Sequence, residues 1–385
     1  MPSDQSLREH PPVSNAAIYF HPDGYETART DLKGRHVAGE SFLAGFFRHA
    51  DVDGFACHAD GPETARLFVK LAARHAAAGR RIALYPTAEP ARLAEIGCLF
   101  VPGPGIDQFA WRRRAGNQRG YSLCGITHTT AEAPDMLGGL VTGPVQPWDA
   151  VICTSWAARA SVEAVLHPYA DYLRDRLGAV EAPVLPHLPV IPLGVDASAF
   201  RFDAATRHEE RAKLGIGPEE IAVLFMGRLS FHAKAHPIPM YAALEQAARR
   251  TGQRIHLIQA GWFGNDAIAA AFVEGARRYC PSINAIFLDG RKPEVRSRIW
   301  AAADLFTSLV DNVQETFGIT PVEAMAAGLP CVVTDWDGYR ETVRHGVDGF
   351  RIPTVLPPPG AAGTLPTATT RGPTATTSTS AAPRR

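Results

Sequence analysis

Two carboxylates, Glu315 and Glu323, flank the stretch of this sequence that is best suited to bind an anion. The residues between them read as a loop and the start of a helix, so the backbone N–H groups of Gly318 and Ile319 face outward at a helix N-terminus. The partial positive charge there favours a phosphate, and carboxylates beside it can accept hydrogen bonds from sugar hydroxyls. The pattern predicts a site for a phosphate that is joined to a sugar.

This predicted helix has start and end signals of its own. Thr320 is a good N-cap, Pro321 suits the first helical position, and Gly328 suits the C-terminal end. Because Thr320 and Glu323 also have the spacing of a capping box, Glu323 has a second interpretation as a purely structural residue. The sequence leaves both interpretations open.

The elements that position this site alternate along the whole chain. Short apolar, β-rich runs begin near residues 16, 54, 81, 98, 121 and 150, and a second series begins near residues 222, 254, 284, 304 and 329. Helical patterns separate these runs, and such alternation predicts parallel sheets covered by helices. We therefore expect an α/β protein with two Rossmann-like domains facing across a cleft, where open sheets of this kind bind ligands.

Composition and length agree with two folded domains. The chain has 385 residues, 46% of them hydrophobic, and equal numbers of basic and acidic residues, 39 of each. No basic surplus is available to neutralise a phosphate backbone, so nucleic acid is not expected as a partner. The longest apolar runs fall far short of the roughly 18 residues of a membrane helix, and no signal region opens the chain. The six cysteines are scattered, and we expect a cytoplasmic protein with reduced thiols.

The domain limits follow from changes in composition along the chain. We predict a first domain over residues 15–197 and a second over residues 198–355. The proline-rich stretch at 183–192, followed by the less apolar residues 197–218, is predicted to connect them. Residues 1–14 and the Thr/Pro/Ala-rich residues 356–385 are predicted to be disordered, because they cannot bury enough apolar area to fold. No acidic residue occurs after residue 348.

The motifs around Glu315 and Glu323 resemble a known family. An E-x7-E pattern, then Gly-x-Pro-Cys-Val-Val and a turn with Gly338 and Glu341, is similar to the C-terminal domain of retaining GT-B glycosyltransferases, carbohydrate-active family 4 (glycosyl transferases group 1). Further matching motifs follow the family's order, at residues 151–158, 190–196 with Phe200, 227–229 with Lys234, and 345–350. The resemblance spans roughly residues 120–353.

The resemblance implies an activity and its partners. Such an enzyme transfers a sugar from a nucleoside diphosphate sugar to an acceptor hydroxyl with retention of the anomeric configuration. The acceptor is a sugar, a lipid-linked molecule or a small molecule, and no metal or other cofactor is implied. The first domain would lie on the acceptor side, and the second would bind the nucleotide-sugar donor. A nucleotide-sugar epimerase of the same fold, or a donor-binding protein with impaired catalysis, are the alternatives.

The resemblance also assigns roles in the second domain. Arg228 and Lys234, which follow Gly227, would grip the donor diphosphate, although five residues separate them, one more than the family pattern has. Glu323 would bind the ribose. Glu315, with the backbone of Phe317, Gly318 and Ile319, would hold the donor sugar and its phosphate.

Two positions of the first domain carry matching roles. His128, directly after a predicted strand, matches a cleft histidine that touches the donor sugar. Gly39 opens a predicted helix over residues 40–50 and resembles the glycine loop that approaches the donor phosphates, although the family's double glycine is absent.

Three other motifs favour different chemistry. Asp335 and Asp337 form the D-x-D of metal-dependent GT-A enzymes, but here they follow a strand where the GT-B family has a turn. Residues 102–105 contain two glycines of a dinucleotide loop without the third. The Trp-Arg-Arg-Arg cluster at 111–114 reads as a solvated loop, with a weak peripheral membrane contact as the alternative.

The C-terminal end departs from the family. Family members continue past the turn at residue 350 with further helices, the last of which packs on the first domain, whereas this chain continues with an acid-free tail. An out-of-frame reading of GC-rich DNA would give such a tail, so we expect an incomplete second domain. A native disordered tail is the alternative.

Overall fold

The computed structural model describes residues 14–27, 34–76, 79–128, 133–178, 181–231, 233–312 and 315–355. They form two six-stranded sheets in which neighbouring strands run parallel. Helices separate the strands along the chain, as the alternating sequence pattern predicts. The predicted α/β class and the two Rossmann-like domains are confirmed.

The first domain contains the first six strands and six helices. Its strands are β1 (Ala17–Tyr19), β2 (Gly54–Ala59), β3 (Arg81–Pro86), β4 (Cys98–Phe100), β5 (Ser122–Ile126) and β6 (Ala150–Ile152). Its helices are α1 (Pro22–Tyr25), α2 (Gly34–His49), α3 (Pro62–His75), α4 (Asp107–Ala115), α5 (Ala133–Thr142) and α6 (Trp156–Leu177), with a 3₁₀ turn at Pro90–Glu95.

The second domain repeats this plan. Its strands are β7 (Ile221–Met226), β8 (Ile255–Gly261), β9 (Asn284–Asp289), β10 (Leu305–Ser308), β11 (Cys331–Thr334) and β12 (Gly349–Ile352). Its helices are α7 (Ala204–Lys213), α8 (Ile238–Thr251), α9 (Asp266–Tyr279), α10 (Pro293–Arg298), α11 (Ile319–Ala326) and α12 (Tyr339–Thr342), with 3₁₀ turns at Ala197–Phe200 and Ile299–Ala302.

Each sheet has one point where the strand order reverses. The first sheet has the order β3-β2-β1-β4-β5-β6, and the second has the order β12-β11-β10-β7-β8-β9. The chain therefore leaves β1 and β4 in opposite directions in the first domain, and β7 and β10 in the second. Open parallel sheets bind ligands beside the carboxyl ends of such a strand pair. The loops after β7 and β10 contain the residues that the sequence predicts to bind the donor.

Both sheets are covered on two faces, which explains their nearly continuous apolar strands. All six residues of β2 and all seven of β8 are buried. Ala56 packs in one core of the first domain, while its neighbour Cys57 packs in the core on the opposite face. Strands buried on both faces lose the alternation of polar and apolar residues, and this is typical of parallel sheets.

A buried ion pair corrects the prediction for residues 111–114. These residues lie in helix α4 rather than in a solvated loop, and Arg113 is fully buried with both guanidinium N–H groups donating to Asp149 at 2.7 Å. Asp149 also accepts from the backbone N–H of Leu123 and of Gln146. One arginine of the cluster is thus structural, while Trp111 and its neighbours Arg112 and Arg114 are exposed.

The proline-rich stretch at 183–192 is not a free connection between domains. It runs beside β6 in parallel bridges from Ala150 to His187 and from Cys153 to Val190, so it extends the first sheet. The chain crosses to the second domain just after it, where Asp196 forms an ion pair with Arg48 of α2 at 2.7 Å. The predicted boundary near residue 197 stays a prediction.

The predictions for the chain ends fall on residues 1–13 and 356–385, which lie outside the described residues. Disorder at both ends, and the frameshifted tail, therefore stay predictions. Among the helices that the structure describes, none is long and apolar enough to cross a membrane.

Candidate active site

Helix α11 begins at the loop after β10, and a glycine sets its start. Gly318 is the N-cap with φ of +81°, a backbone region that favours glycine, and the ring of Tyr339 would lie 2.1 Å from any added Cβ atom. The helix therefore begins at Ile319, and the prediction that Thr320 is its N-cap is wrong. The left-handed glycine turns the chain one residue before the threonine.

The start of α11 has the uncapped geometry that the predicted anion site requires. No side chain in the described residues caps this helix, so its first N–H groups have no side-chain acceptor there. Helix N-termini carry these unsatisfied donors together with a partial positive charge. Phe317, immediately before the N-cap, is buried and anchors the loop. The predicted backbone donors thus lie at the switch point between β7 and β10.

The capping-box interpretation of Glu323 is excluded by the same geometry. With Gly318 as N-cap, Glu323 lies too far along the helix to reach back to the cap. Burial raises the pKa of Glu323 to about 7, although the positive charge of Arg296 on α10 opposes this. No ion pair within 4.0 Å joins Glu323 to Arg296 in the described part of the chain. The Glu323 side chain is half-buried, and a carboxyl group that has no ion pair among the described residues is suited to accept hydrogen bonds from a ligand.

Lys234 and Glu315 meet at this switch point. The lysine ammonium forms a hydrogen-bonded ion pair with the Glu315 carboxylate, and both side chains are largely shielded from solvent. Lys234 also lies beside Gly227, whose added Cβ would be 3.7 Å from the lysine Cε. The backbone N–H of Lys234 donates to Ser230 O at 3.2 Å.

Arg228 takes part in a stack that the sequence analysis missed. The guanidinium of Arg228 lies 6.0 Å from the ring centroid of Trp262, and that of Arg291 lies 5.9 Å from the same ring. The three residues follow β7, β8 and β9 in turn, so neighbouring strand ends bring them together. Asp289 holds Arg291 through its guanidinium at 2.8 Å. In the sequence, the position of Trp262 directly after an apolar strand indicates that its side chain could lie at the carboxyl edge of the sheet.

The two aspartates of the D-x-D pattern have separate environments. Asp335 lies 3.4 Å from Arg351 and 3.9 Å from Arg340, whereas Asp337 has φ of +45° and packs near Glu315. Burial, followed by the negative charge of Glu315, raises the pKa of Asp337 to about 7. In the described ranges no three His, Cys, Asp or Glu side chains are grouped to hold a metal ion.

His128 lies at the matching edge of the first sheet, just after β5. An added Cβ at Gly103, in the loop after β4, would lie 3.4 Å from its Nε2 atom. Gly103 therefore packs against the histidine. Burial lowers the pKa of His128 to about 4, and the positive charges of Arg35 and His36 act in the same direction. The imidazole is neutral at pH 7, and within the described ranges no hydrogen bond joins it to Glu315.

Gly39 lies inside helix α2, which begins at Gly34, so the predicted helix start at residue 40 is wrong. An added Cβ at Gly39 would lie 2.0 Å from the carbonyl oxygen of Gly24. The glycine thus permits α2 to pack closely on helix α1. This packing explains the residue without a ligand, and donor contact at Gly39 stays a prediction.

The two domains touch beside the candidate site. Ser155 Oγ, at the end of the loop after β6, donates to Thr316 O at 2.5 Å. The Glu341 carboxylate accepts from the backbone N–H of Trp156 at 2.9 Å and of Ala157 at 2.8 Å. The carboxyl ends of strands from both sheets thus face one another, as the sequence predicts for a cleft. Both residues lie in motifs that carry the family resemblance, but the motifs alone predict no contact between them and the other domain.

The part of the chain that contains most of this site is similar to a known protein family. Residues 206–357 match the family model described as Glycosyl transferases group 1. The resemblance seen in the motifs of this part of the chain is thereby confirmed.

Curated relatives match a shorter part of the chain. A D-inositol 3-phosphate glycosyltransferase of Rhodococcus erythropolis is 30% identical over 167 residues, which is 43% of this chain and 37% of that protein. One with the same name from Mycobacterium sp. is 32% identical over 167 residues, 43% of this chain and 36% of that protein. The chain therefore matches little more than a third of the length of these relatives.

Solved structures match nearly the whole fold. Anabaena Alr3699/HepE in complex with UDP and glucose has a TM-score of 0.58 and 15% identity, covering 89% of this chain and 86% of that one. A glycosyltransferase from Rickettsia africae has a TM-score of 0.55 and 12% identity, with coverage of 89% and 86%. The chain has the GT-B fold.

Proposed function

We propose that the protein is a glycosyltransferase that moves a sugar from a nucleoside diphosphate sugar to an acceptor hydroxyl with retention of configuration. The observation that carries the proposal is the ion pair of Lys234 and Glu315 beside the open N-terminus of α11, at a topological switch point. Cationic and anionic groups lie next to each other there, as a diphosphate joined to a sugar requires.

The chemistry asked of these residues is positioning and charge stabilisation. Arg228 and Lys234 would bind the diphosphate, and the N–H groups at Gly318 and Ile319 would receive the negative charge that develops on the leaving group. Glu315 would accept hydrogen bonds from the donor sugar, and Glu323 from the ribose. His128 is neutral and would contact the sugar from the first domain without adding a positive charge.

No protein nucleophile, metal ion or other cofactor has a part in this proposal. Charge on the leaving diphosphate is balanced by two basic side chains and a helix terminus. Addition of a chelator is therefore expected to leave transfer unchanged. We also keep the expected cytoplasmic location and the absence of a nucleic-acid partner as predictions.

The names of similar proteins suggest the first substrates to test. The Anabaena structure contains UDP and glucose, and the curated relatives are named for D-inositol 3-phosphate. We therefore choose UDP-glucose, GDP-mannose and ADP-glucose as donors, with D-inositol 3-phosphate and simple sugars as acceptors. An acceptor with an accessible hydroxyl group is the only chemical requirement.

The test is product formation with determination of the anomeric configuration by NMR. The proposal predicts a glycoside that forms only with an acceptor and keeps the configuration of the donor. A product of inverted configuration would contradict retention. Epimerised donor without an acceptor would indicate an epimerase, and nucleotide binding without any turnover would indicate a donor-binding protein.

A further inference from the structure

The loop formed by residues 315–318, here called the donor loop, is held from both domains. On its own side, the backbone N–H of Gly338 donates to Glu315 O at 3.0 Å. On the other side, Ser155 Oγ of the first domain donates to the next carbonyl, Thr316 O, at 2.5 Å, and Thr154 Oγ1 lies 3.4 Å from the same oxygen. Two successive carbonyl groups of the donor loop are thus hydrogen-bonded to different domains.

These contacts lie in a water-excluded part of the domain junction. Thr154, Ser155 and Thr316 are exposed by 1%, 2% and 6% of their surface. A hydrogen bond in such a place has no water to replace it, so loss of the Ser155 bond leaves the buried Thr316 carbonyl with only the longer contact to Thr154. The orientation of the Thr316 peptide therefore depends on the first domain being in contact.

Ser155 has two functions that a hydroxyl can combine. It is the N-cap of helix α6, where its oxygen accepts from the backbone N–H of Ala158 at 2.9 Å. Its single hydrogen remains available for Thr316 O. A carboxylate at this position would keep the cap but could not donate, whereas threonine would do both. Substitutions of Ser155 can therefore separate helix capping from donation to Thr316 O.

Glu341 strengthens the same junction from the second domain. Its two carboxylate oxygens accept from Trp156 and Ala157, the first two residues of α6, and negative charge is favoured at a helix N-terminus. Glu341 follows Gly338 by three residues, so one short segment both supports the donor loop and binds the other domain. The contacts of Gly338 and Glu341 therefore position the donor loop and helix α6 relative to each other.

We propose that Ser155 and Glu341 are positioning residues that set the donor loop from across the domain boundary, so that the donor site is complete only when the two domains are in contact. The inference rests on the proposed function, because the donor loop contains Glu315 and leads into the N-terminus of α11. Shifting the Thr316 peptide would move the carboxylate of Glu315 and the N–H groups that follow it. Displacement of reacting groups by about 1 Å can cost about 100-fold in rate.

The test compares three substitutions of Ser155 at a temperature well below unfolding. Ser155→Thr is expected to keep wild-type transfer from the active donor. Ser155→Asp keeps the cap but removes the hydroxyl donor, and Ser155→Ala removes both; each should lower kcat/KM by roughly 10- to 100-fold, with a fall in kcat. Wild-type kcat in Ser155→Asp and Ser155→Ala would overturn the proposal, because a role limited to stability would not change kcat below the unfolding temperature.

A matched control comes from another helix cap. Asp203 caps α7 by accepting from the backbone N–H of Thr206 at 2.7 Å, without contact to the donor loop. Asp203→Ala is expected to lower thermal stability as much as Ser155→Ala, with transfer unchanged. Equal losses of transfer in both variants would show that any weakened helix impairs the enzyme, and would contradict a specific role of Ser155.

Glu341 gives an independent series. Glu341→Gln retains an amide oxygen for one of the two N–H groups, whereas Glu341→Ala retains none. We expect kcat/KM to fall in the order wild type, Gln, Ala, with the alanine variant within a few-fold of Ser155→Ala. Wild-type kinetics for Glu341→Ala would remove this residue from the proposal.

Hydrogen exchange separates this inference from the proposed function. Amide exchange of a peptide covering residues 315–320 is expected to be faster in Ser155→Ala and Ser155→Asp than in wild type or Ser155→Thr. This readout needs no substrate. If wild type transfers no sugar but exchange changes as expected, the proposed function fails and the positioning holds. If transfer occurs and neither exchange nor kcat responds, the positioning fails alone.

Discussion

The carboxyl edges of the two sheets have the same strand order but different chemistry. At the second switch point, Lys234 and Glu315 form an ion pair beside an open helix N-terminus, and Arg228 lies next to them on Trp262. At the first, the half-buried His128 is neutral, and Arg35 near it is paired with Asp23 at 2.9 Å. We call the second edge the charged edge, because its cations lie beside an open helix N-terminus. The charged edge suits a diphosphate, while a neutral imidazole suits hydroxyl groups.

The largest expected effect is on transfer at the charged edge. Glu315→Gln removes the carboxylate that pairs with Lys234 and that we propose to bind the donor sugar. We expect kcat/KM to fall by about 100-fold or more, because this interaction is made within a preorganised site. Steady-state kinetics with the active donor provide the measurement, and circular dichroism checks that the fold is kept. Activity within about threefold of wild type would remove Glu315 from the site.

The next effect is on nucleotide affinity. Lys234→Ala removes one of two cations from the proposed diphosphate site and should weaken nucleoside diphosphate binding by roughly 10-fold, the effect of losing one charge-assisted hydrogen bond. Arg249→Ala, on helix α8 of the same domain, is the matched control, since Arg249 is exposed and pairs with Glu245. Equal affinity changes in both variants would indicate a general charge effect rather than a site at Lys234.

Replacing Glu323 should weaken nucleotide binding but raise thermal stability at neutral pH. Glu323→Gln is expected to weaken nucleoside diphosphate binding by about 10-fold if the carboxylate binds ribose. Its folded pKa of about 7 lies above the unfolded value, so in wild type this group favours the folded state below about pH 4.5, and that contribution is lost as pH rises to about 7.

Thermal unfolding between pH 4.5 and pH 7 tests the second part of this prediction. Glu323→Gln should lose less stability than wild type as the pH rises. At pH 7.5 its Tm should be higher than that of wild type by roughly 2–4 °C, as expected for about 1 kcal/mol of stabilisation. A lower Tm in the variant at every pH would contradict this account and would indicate a structural role for the carboxylate.

The smallest effect is expected at His128, on the edge of the first sheet. Because the pKa of His128 is about 4, its charge does not change between pH 5 and 9, so His128→Asn should leave the shape of the pH–rate profile in this range unaltered. Nucleoside diphosphate affinity should also stay within about twofold of wild type. A change in rate near pH 6.5 that disappears in the variant would show that His128 titrates during catalysis, and would contradict a neutral imidazole.

Elements with strong local patterns could be predicted from the sequence, whereas contacts set by packing could not. The strands that begin near residues 221 and 254, and the loop before α11, follow from apolar runs and turn residues. The start of α11 depends on Gly318 and on the Tyr339 ring, which lies far along the chain. The burial of Arg113 required Asp149, another distant residue. Likewise the junction of Ser155 with Thr316 joins residues of different domains.

Calorimetric titration of UDP, GDP and ADP into wild type and into Arg228→Ala is the most direct test of the charged edge as the donor site. The account predicts that one of the three nucleotides binds wild type with one-to-one stoichiometry and that Arg228→Ala weakens this binding by roughly 10- to 100-fold, about 1.4–2.8 kcal/mol. Uridine or guanosine without phosphates should bind much more weakly. Unchanged affinity in Arg228→Ala, or no binding of any diphosphate to wild type, would contradict a diphosphate site at this edge.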